Sequence, residues 1–414
     1  MKRTLLLILL LAGIQSFGQT DTTKVLFIGN SFTYMNDMPT LVQGLAMSAG
    51  YQLKFVMHAP GGISVGDVSQ GTSAHMNNPI VFDLIRSDNW DFVSLQDNQG
   101  RFIYGNCTFP NPTVSKVKEG HLKIRDSVQF YHPCAHMLWF AGWGPKTGYP
   151  GVSTNAEGLI DNIYYNYKCL QDTAGEIIVP IGKAWEREIG ELPLVDLWGP
   201  DQTHESLAGA YLTAAVIFTS IYRINTELVA FDGGLDSASA RILRRIARQT
   251  VIDSLYPTHL ADYIPNLTLG SNKLMATFGY QTYQWFLNDS LIASGSSDSL
   301  SLTQNGCYYV VATDTIGCKS RSFENCIGSL GVVDMSLAAG IKVYPFPASN
   351  LLTIDVGNQF PSYFTLNDIT GKVVKELNLV TAVSEVGITE LPSGLYYASV
   401  YGNHGVVRMK VVKE

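Results

Sequence analysis

A chain of 414 residues with a net charge of −7 is too long for one ordinary domain and too acidic for a nucleic-acid partner; no block of Lys or Arg offsets that balance. Hydrophobic residues make up 46% and charged residues 15%, which excludes a disordered chain and leaves apolar material for two or three cores.

The first residues read as a secretory signal. Lys2-Arg3 precede an apolar run from Leu5 to Leu11, and small residues follow at Ser16 and Gly18. A signal peptide over residues 1–18, cleaved before Gln19, is expected. The run is too short to cross a bilayer and no later run approaches ~18 apolar residues, so no transmembrane segment is expected in the mature chain. Export permits disulfides. The six cysteines divide into Cys107, Cys134 and Cys169 early and Cys307, Cys318 and Cys326 late. Three per half leaves one over in each, and Cys318 is expected to pair with Cys307 or Cys326.

From Thr22 to about Asp262 apolar strands alternate with helical stretches. Strands are expected over residues 24–28, 52–57, 92–95, 135–140 and 177–180, and helices over 38–49 and 80–87. That alternation predicts an α/β fold, a parallel sheet covered on both faces in a three-layer α/β/α sandwich spanning residues 19–263. The first strand, Val25-Leu26-Phe27-Ile28, stops at Gly29-Asn30-Ser31. Ligands in open α/β sheets sit beyond the carboxyl ends of such strands, which puts Ser31 where a nucleophile would be useful. Taken alone, the tripeptide also reads as a polar turn with a capping serine.

A serine hydroxyl needs a base to take its proton, usually a histidine. Asp201-Gln202-Thr203-His204 supplies one on a turn where the carboxylate can hold the imidazole. Ser206 is the expected N-cap of the apolar helix that follows. A second serine, Ser64, lies in Gly62-Ile63-Ser64-Val65-Gly66 and satisfies G-x-S-x-G. That elbow must join a strand directly to a helix, whereas Pro60 and two glycines make this a loop. His132-Pro133-Cys134-Ala135-His136 carries metal-ligand residue types, but it runs straight into a strand with no second cluster. Neither a metal nor a cofactor is expected. Trp139, Trp143 and Trp185 are expected mainly in the core; Trp143, after the fourth strand, is placed to line the site, where it would suit a sugar ring.

Beyond Ile264-Pro265 the composition turns rich in Ser, Thr, Asn and Tyr, with an alternating Tyr283-Gln284-Trp285-Phe286-Leu287 and a turn candidate at Asn288-Asp289. A small all-β module is expected over 266–328. It resembles the immunoglobulin-like modules of secreted bacterial enzymes, without their Cys…Trp…Cys spacing. After a linker at Gly328 to Gly340, a second all-β segment covers 341–414. VYPFPASNLLTIDV, LNDITGKVV, LPSGLYYASV and VVRMKVVKE together resemble the C-terminal sorting domain of the type IX secretion pathway. That resemblance implies the type IX machinery as a partner and a secreted or cell-surface location.

GNSFT after the first strand and DxxH before the last helix together resemble the SGNH (GDSL-like) hydrolases, esterases and deacetylases with a flavodoxin-like sheet. The resemblance implies Ser31 as nucleophile, Asp201 as orienting acid and His204 as base. It also implies an oxyanion hole made by the Ser31 N–H, a glycine N–H taken as Gly62, and an Asn side chain taken as Asn98, with Gln96 in reserve. The reading is a secreted serine esterase acting on O-acyl esters, acetyl in particular, of small molecules or polysaccharides. Its alternative is a catalytically silent carbohydrate-binding or adhesive surface protein.

Overall fold

The computed structural model describes residues 22–104, 107, 116–191, 195–270, 273–327, 342–345, 347–357, 362–368, 372–402 and 405–414. The expected signal peptide and linker lie outside them.

Five strands, β1 (Thr23–Ile28), β2 (Leu53–His58), β3 (Phe92–Leu95), β4 (His136–Phe140) and β5 (Ile177–Val179), form a sheet of order β2-β1-β3-β4-β5. Every neighbouring pair is parallel. The strand order reverses between β1 and β3, the switch point at whose carboxyl edge open α/β sheets bind ligands.

The helices are α1 (Ser31–Tyr34), α2 (Met38–Ser48), α3 (Pro79–Ser87), α4 (Val117–Tyr131), α5 (Ala156–Ala174), α6 (Ile181–Glu191), α7 (Leu207–Tyr222) and α8 (Ser237–Asp253). Alternation along the strands builds the layers, because successive side chains leave a strand on opposite faces. Val25, Phe27, Leu138 and Phe140 join one core with residues of α2, α7 and α8, among them Leu45, Val216 and Ile246. Leu26, Ile28, Val93 and Trp139 join the other with residues of α3, α4 and α5, among them Ile85, Ile124 and Ile163. Helix α7 is buried from Ala208 to Tyr222, so its sequence is apolar all round. Ser206 caps it as expected, its Oγ accepting from the Gly209 N–H at 3.2 Å, a bond worth about 1 kcal/mol in typical helices. No helix among the described residues is long and apolar enough to cross a membrane.

Antiparallel β-structure follows the α/β segment. Thr282–Leu287 and Ser290–Gly295 flank Asn288 and Asp289, whose φ values of 46° and 62° are the paired left-handed conformations of a two-residue hairpin turn. Backbone contacts divide the chain into two compact units. One runs to Trp285 and takes in Leu291–Leu300 and Tyr309–Glu324; the other consists of Phe286–Ser290, Ser301–Tyr308 and Asn325–Glu414. The disulfides correct the expected pairing: Cys318 is joined to Cys134, Cys307 to Cys326, and Cys107 to Cys169, with none left over. Nothing local in the sequence reports a bridge between residues 184 apart. The bridge also takes Cys134 out of the His132–His136 group as a thiolate ligand.

The C-terminal segment carries two antiparallel sheets. One holds Lys342–Tyr344, Leu351–Asp355 and Val383–Gly387; the other holds Val373–Leu379, Ser362–Asn367, Gly394–Gly402 and Gly405–Lys413. Phe364, Leu366, Ile354 and Val400 share one core there.

Candidate active site

Ser31 stands at the carboxyl end of β1 as the first residue of α1. The turn into that helix is made by Asn30, which caps it by accepting the Phe32 N–H on Oδ1 at 3.1 Å. As the opening residue of a helix, Ser31 has a backbone N–H that no helical carbonyl can reach. The Asn30 N–H donates to Gln96 Oε1 at 2.7 Å, and Asn30 Nδ2 donates to the Ile63 carbonyl at 2.9 Å. The serine turn is thereby tied to the loops after β2 and β3.

The Ser31 Oγ–H donates to His204 Nε2 at 2.8 Å, across 173 residues of sequence. The His204 Nδ1–H donates to Asp201 Oδ2 at 2.6 Å, which leaves Nε2 as the bare, accepting nitrogen. The other carboxylate oxygen of Asp201 accepts the backbone N–H groups of Thr203 at 3.0 Å and His204 at 2.9 Å. The His204 hydrogen bond, followed by that from the Thr203 N–H, holds the Asp201 carboxyl at about 2. It therefore stays ionised where a histidine works as a base. The His204 side chain is 28% exposed, which leaves a substrate room to reach it.

Behind the imidazole the chain builds an aromatic shelf. Phe32 lies 5.2 Å from the His204 ring and 5.1 Å from the Trp143 ring, and Trp143 stacks on Trp185 at 3.9 Å. Trp143 corrects the sequence reading. Its side chain is fully buried and its Nε1–H donates to the Thr203 carbonyl at 3.1 Å, so it braces the histidine turn and offers no face to a sugar. Asn36 adds a second brace, with Nδ2 donating to the Glu205 carbonyl at 2.8 Å.

Glu205 is buried beside the triad, and burial, assisted by the Asp201 charge, pushes its carboxyl up to about 8. The two neighbouring acids thus hold opposite states at neutral pH: Asp201 is charged and Glu205 is not. A cleft of ≈ 680 Å³, lined by Met35, Asn36, Trp198, Asp201, His204 and Glu205 among others, opens beside the base.

Gly62 lies exposed in the loop after β2 with φ +72°, a conformation that favours glycine. Asn98 follows β3, half-buried, and its Oδ1 accepts the Gly100 N–H at 3.0 Å. Gln96, the reserve candidate, is fully buried and engaged elsewhere. Its Oε1 accepts from Asn30 N–H and from Thr33 Oγ at 3.1 Å, while its Nε2 donates to the Asp97 carbonyl. It braces the serine turn. Ser64 is buried in a loop, its N–H donating to Gln70 Oε1 and its carbonyl accepting from His75 N–H, with no strand-to-helix junction around it. His132 Nε2–H donates to the Ile85 carbonyl at 2.6 Å, so that histidine serves the packing of α3 against its neighbours. The bracing roles of Asn30, Phe32 and Asp97 were not legible in the sequence, where Asn30 read only as a turn residue beside the serine.

Residues 342–414 match the family model of the secretion system C-terminal sorting domain. That segment marks the chain for export by the type IX pathway, to a secreted or cell-surface location. No curated protein matches the chain in sequence. Among solved structures, the chain is similar to a DUF4886 family protein from Bacteroides uniformis, with 19% identity over 57% of this chain and 96% of that one and a TM-score of 0.46. It is also similar to a protein from Parabacteroides merdae described as a GDSL-like lipase (13% identity, 48% and 95% covered, TM-score 0.35). A third similarity is to a catalytic mutant of an acetylxylan esterase from Geobacillus stearothermophilus (14% identity, 46% and 90% covered, TM-score 0.34).

Proposed function

We propose that the chain is an exported serine ester hydrolase working by acyl transfer, with Ser31 as nucleophile, His204 as base and Asp201 as its orienting acid. The observation that carries this reading is the unbroken hydrogen-bonded line from Ser31 Oγ to His204 to Asp201, at 2.8 Å and 2.6 Å. His204 takes the serine proton as Oγ attacks the ester carbonyl, and Asp201 stabilises the imidazolium that forms. The Ser31 N–H, the Gly62 N–H and the Asn98 amide nitrogen are the donors assigned to the oxyanion. His204 then gives its proton to the departing alcohol and activates the water that releases the acyl group. The leaving oxygen must lie within reach of His204 Nε2, and the cleft beside that residue offers the alcohol a place.

The substrate we assign is an O-acetyl ester on a carbohydrate, a class that an exported hydrolase meets outside the cell and that the acetylxylan esterase named above acts on. The organisation proposed is a signal peptide over 1–18, the hydrolase over 19–263, an immunoglobulin-like module over 266–328 and the sorting domain over 341–414. The test is hydrolysis of p-nitrophenyl acetate and of acetylated xylo-oligosaccharides by the full chain. Ser31→Ala and His204→Ala should each lose about 10⁴-fold or more in kcat. A folded wild-type chain that hydrolyses neither ester would favour the silent binding protein.

A further inference from the structure

We infer that Asp97 is a positioning residue for the oxyanion hole, fixing the loop that carries Gly62 and the turn that carries Asn98 to a single buried carboxylate oxygen. Oδ1 accepts the Val65 N–H at 2.8 Å and the Asn98 N–H at 2.7 Å. Val65 ends the Gly62–Val65 stretch, whose Ile63 carbonyl is in turn held by Asn30 next to the nucleophile. The three assigned oxyanion donors therefore belong to three loops, and Asp97 and Asn30 join them. This inference rests on the hydrolase reading above.

The chemistry of the residue is costlier than a purely structural tie requires. Asp97 is fully buried, and Oδ2 has no hydrogen-bond partner among the described residues. An amide or a hydroxyl could accept an N–H without carrying a charge into the interior. A charged acceptor, however, makes hydrogen bonds roughly twice as strong as a neutral one, and donors a fraction of an ångström out of place lose their value to a transition state.

The groups around Asp97 leave that charge to be balanced mainly by hydrogen bonds. His121 Nδ1 lies 3.8 Å from Oδ2 but is also 2.9 Å from the Val117 carbonyl, to which its N–H donates. Burial holds both His121 and its neighbour His75 at about 4, so both are neutral above that range. Arg101 attracts the carboxylate but is itself paired with Asp67, which repels it, and the buried Tyr167 phenol stays protonated. Burial wins over the two N–H bonds and Arg101, pushing Asp97 up to about 6.

The sign follows. Asp97 titrates near 3.8 when unfolded and about 6 when folded, so its contribution to stability is full below the lower value and is lost as pH rises through the higher one. At pH 7.5 the carboxylate costs stability, and a residue kept only for folding would be better uncharged.

The test uses the full chain, with p-nitrophenyl acetate as substrate and thermal melting at pH 7.5. Asp97→Asn should lower kcat about tenfold and Asp97→Ala about 10²-fold, with KM within about twofold, while Asp97→Asn melts no lower than wild type. Below pH 6 the wild-type kcat should fall more steeply than one proton allows, and that of Asp97→Asn with one proton only. Should the alanine variant fail to fold, the asparagine variant alone decides. An unchanged kcat in Asp97→Asn, or a kcat loss that comes with a lowered melting temperature, overturns the inference. A wild-type chain without esterase activity would instead remove the hydrolase reading, and this inference with it.

Discussion

The two halves of the candidate site are held in different ways. The base half is mainly local: Asp201 holds His204 and Thr203 within three residues, with Trp143 and Asn36 only bracing neighbouring carbonyls, and the side chains of both acid and base reach solvent. The nucleophile half is stitched at long range, by Gln96 to Asn30 across 66 residues and by Asp97 to Val65 across 32, in an interior closed to water. A local turn keeps its geometry through its own hydrogen bonds. A turn assembled from three strand ends keeps its geometry only while buried acceptors stay satisfied. Substitutions in the base half should therefore affect chemistry and spare the fold, and those that remove a buried acceptor from the nucleophile half should affect both.

The sharpest separation comes from Asp201→Asn. Loss of the charge that orients and stabilises the imidazolium should cut kcat by about 10³–10⁴-fold. The melting temperature at pH 7 should barely move, since the carboxylate is solvent-facing. Held at about 2 against an ordinary value of 3.8, Asp201 contributes only a small, solvent-screened stability above the latter and loses it as pH falls through the former. Activity between pH 5 and 8 should then carry no signature of its titration. Gln96→Leu comes next. It leaves the Asn30 N–H and the Thr33 hydroxyl without their acceptor, at about 1–3 kcal/mol each in buried sites. Here kcat should fall about 10–10²-fold together with a clear drop in melting temperature, read by calorimetry. Equal stability of Gln96→Leu and wild type would erase the distinction between the halves.

The smallest effect on activity is expected from Glu205→Gln, with kcat at pH 7 within about threefold. Glu205 is neutral there because burial holds it at about 8 against an ordinary 4.5. Its contribution to stability is full below the lower value and is lost as pH rises through the higher. The variant should therefore melt like wild type at pH 4.5 and above it by pH 8.5, by on the order of 2–4 °C or more.

The same contrast explains what could be read from the sequence. The apolar run of β1 ending in Gly-Asn-Ser, the Asp-x-x-His turn and the Ser206 cap are each spelled out within a few residues, as is the Asn288-Asp289 hairpin. The alternation of strand and helix carried the parallel sheet, because burial on both faces forces near-continuous apolar strands. Partners decided by tertiary packing left no such trace. Gln96 looked like a reserve oxyanion donor by its place after β3, yet its amide nitrogen already donates to the Asp97 carbonyl while its oxygen accepts from Asn30. Trp143 looked like a sugar platform by its place after β4, yet it is sealed beneath the histidine turn. Cys134 gave no local sign that Cys318 was its partner.

The central claim is that Ser31 is an activated nucleophile, and active-site labelling tests it most directly. Intact and peptide mass spectrometry of the folded full chain treated with a fluorophosphonate should find one adduct, on the peptide bearing Ser31, absent from Ser31→Ala. A folded chain that takes no label, or one labelled on Ser64 with Ser31 untouched, would contradict it.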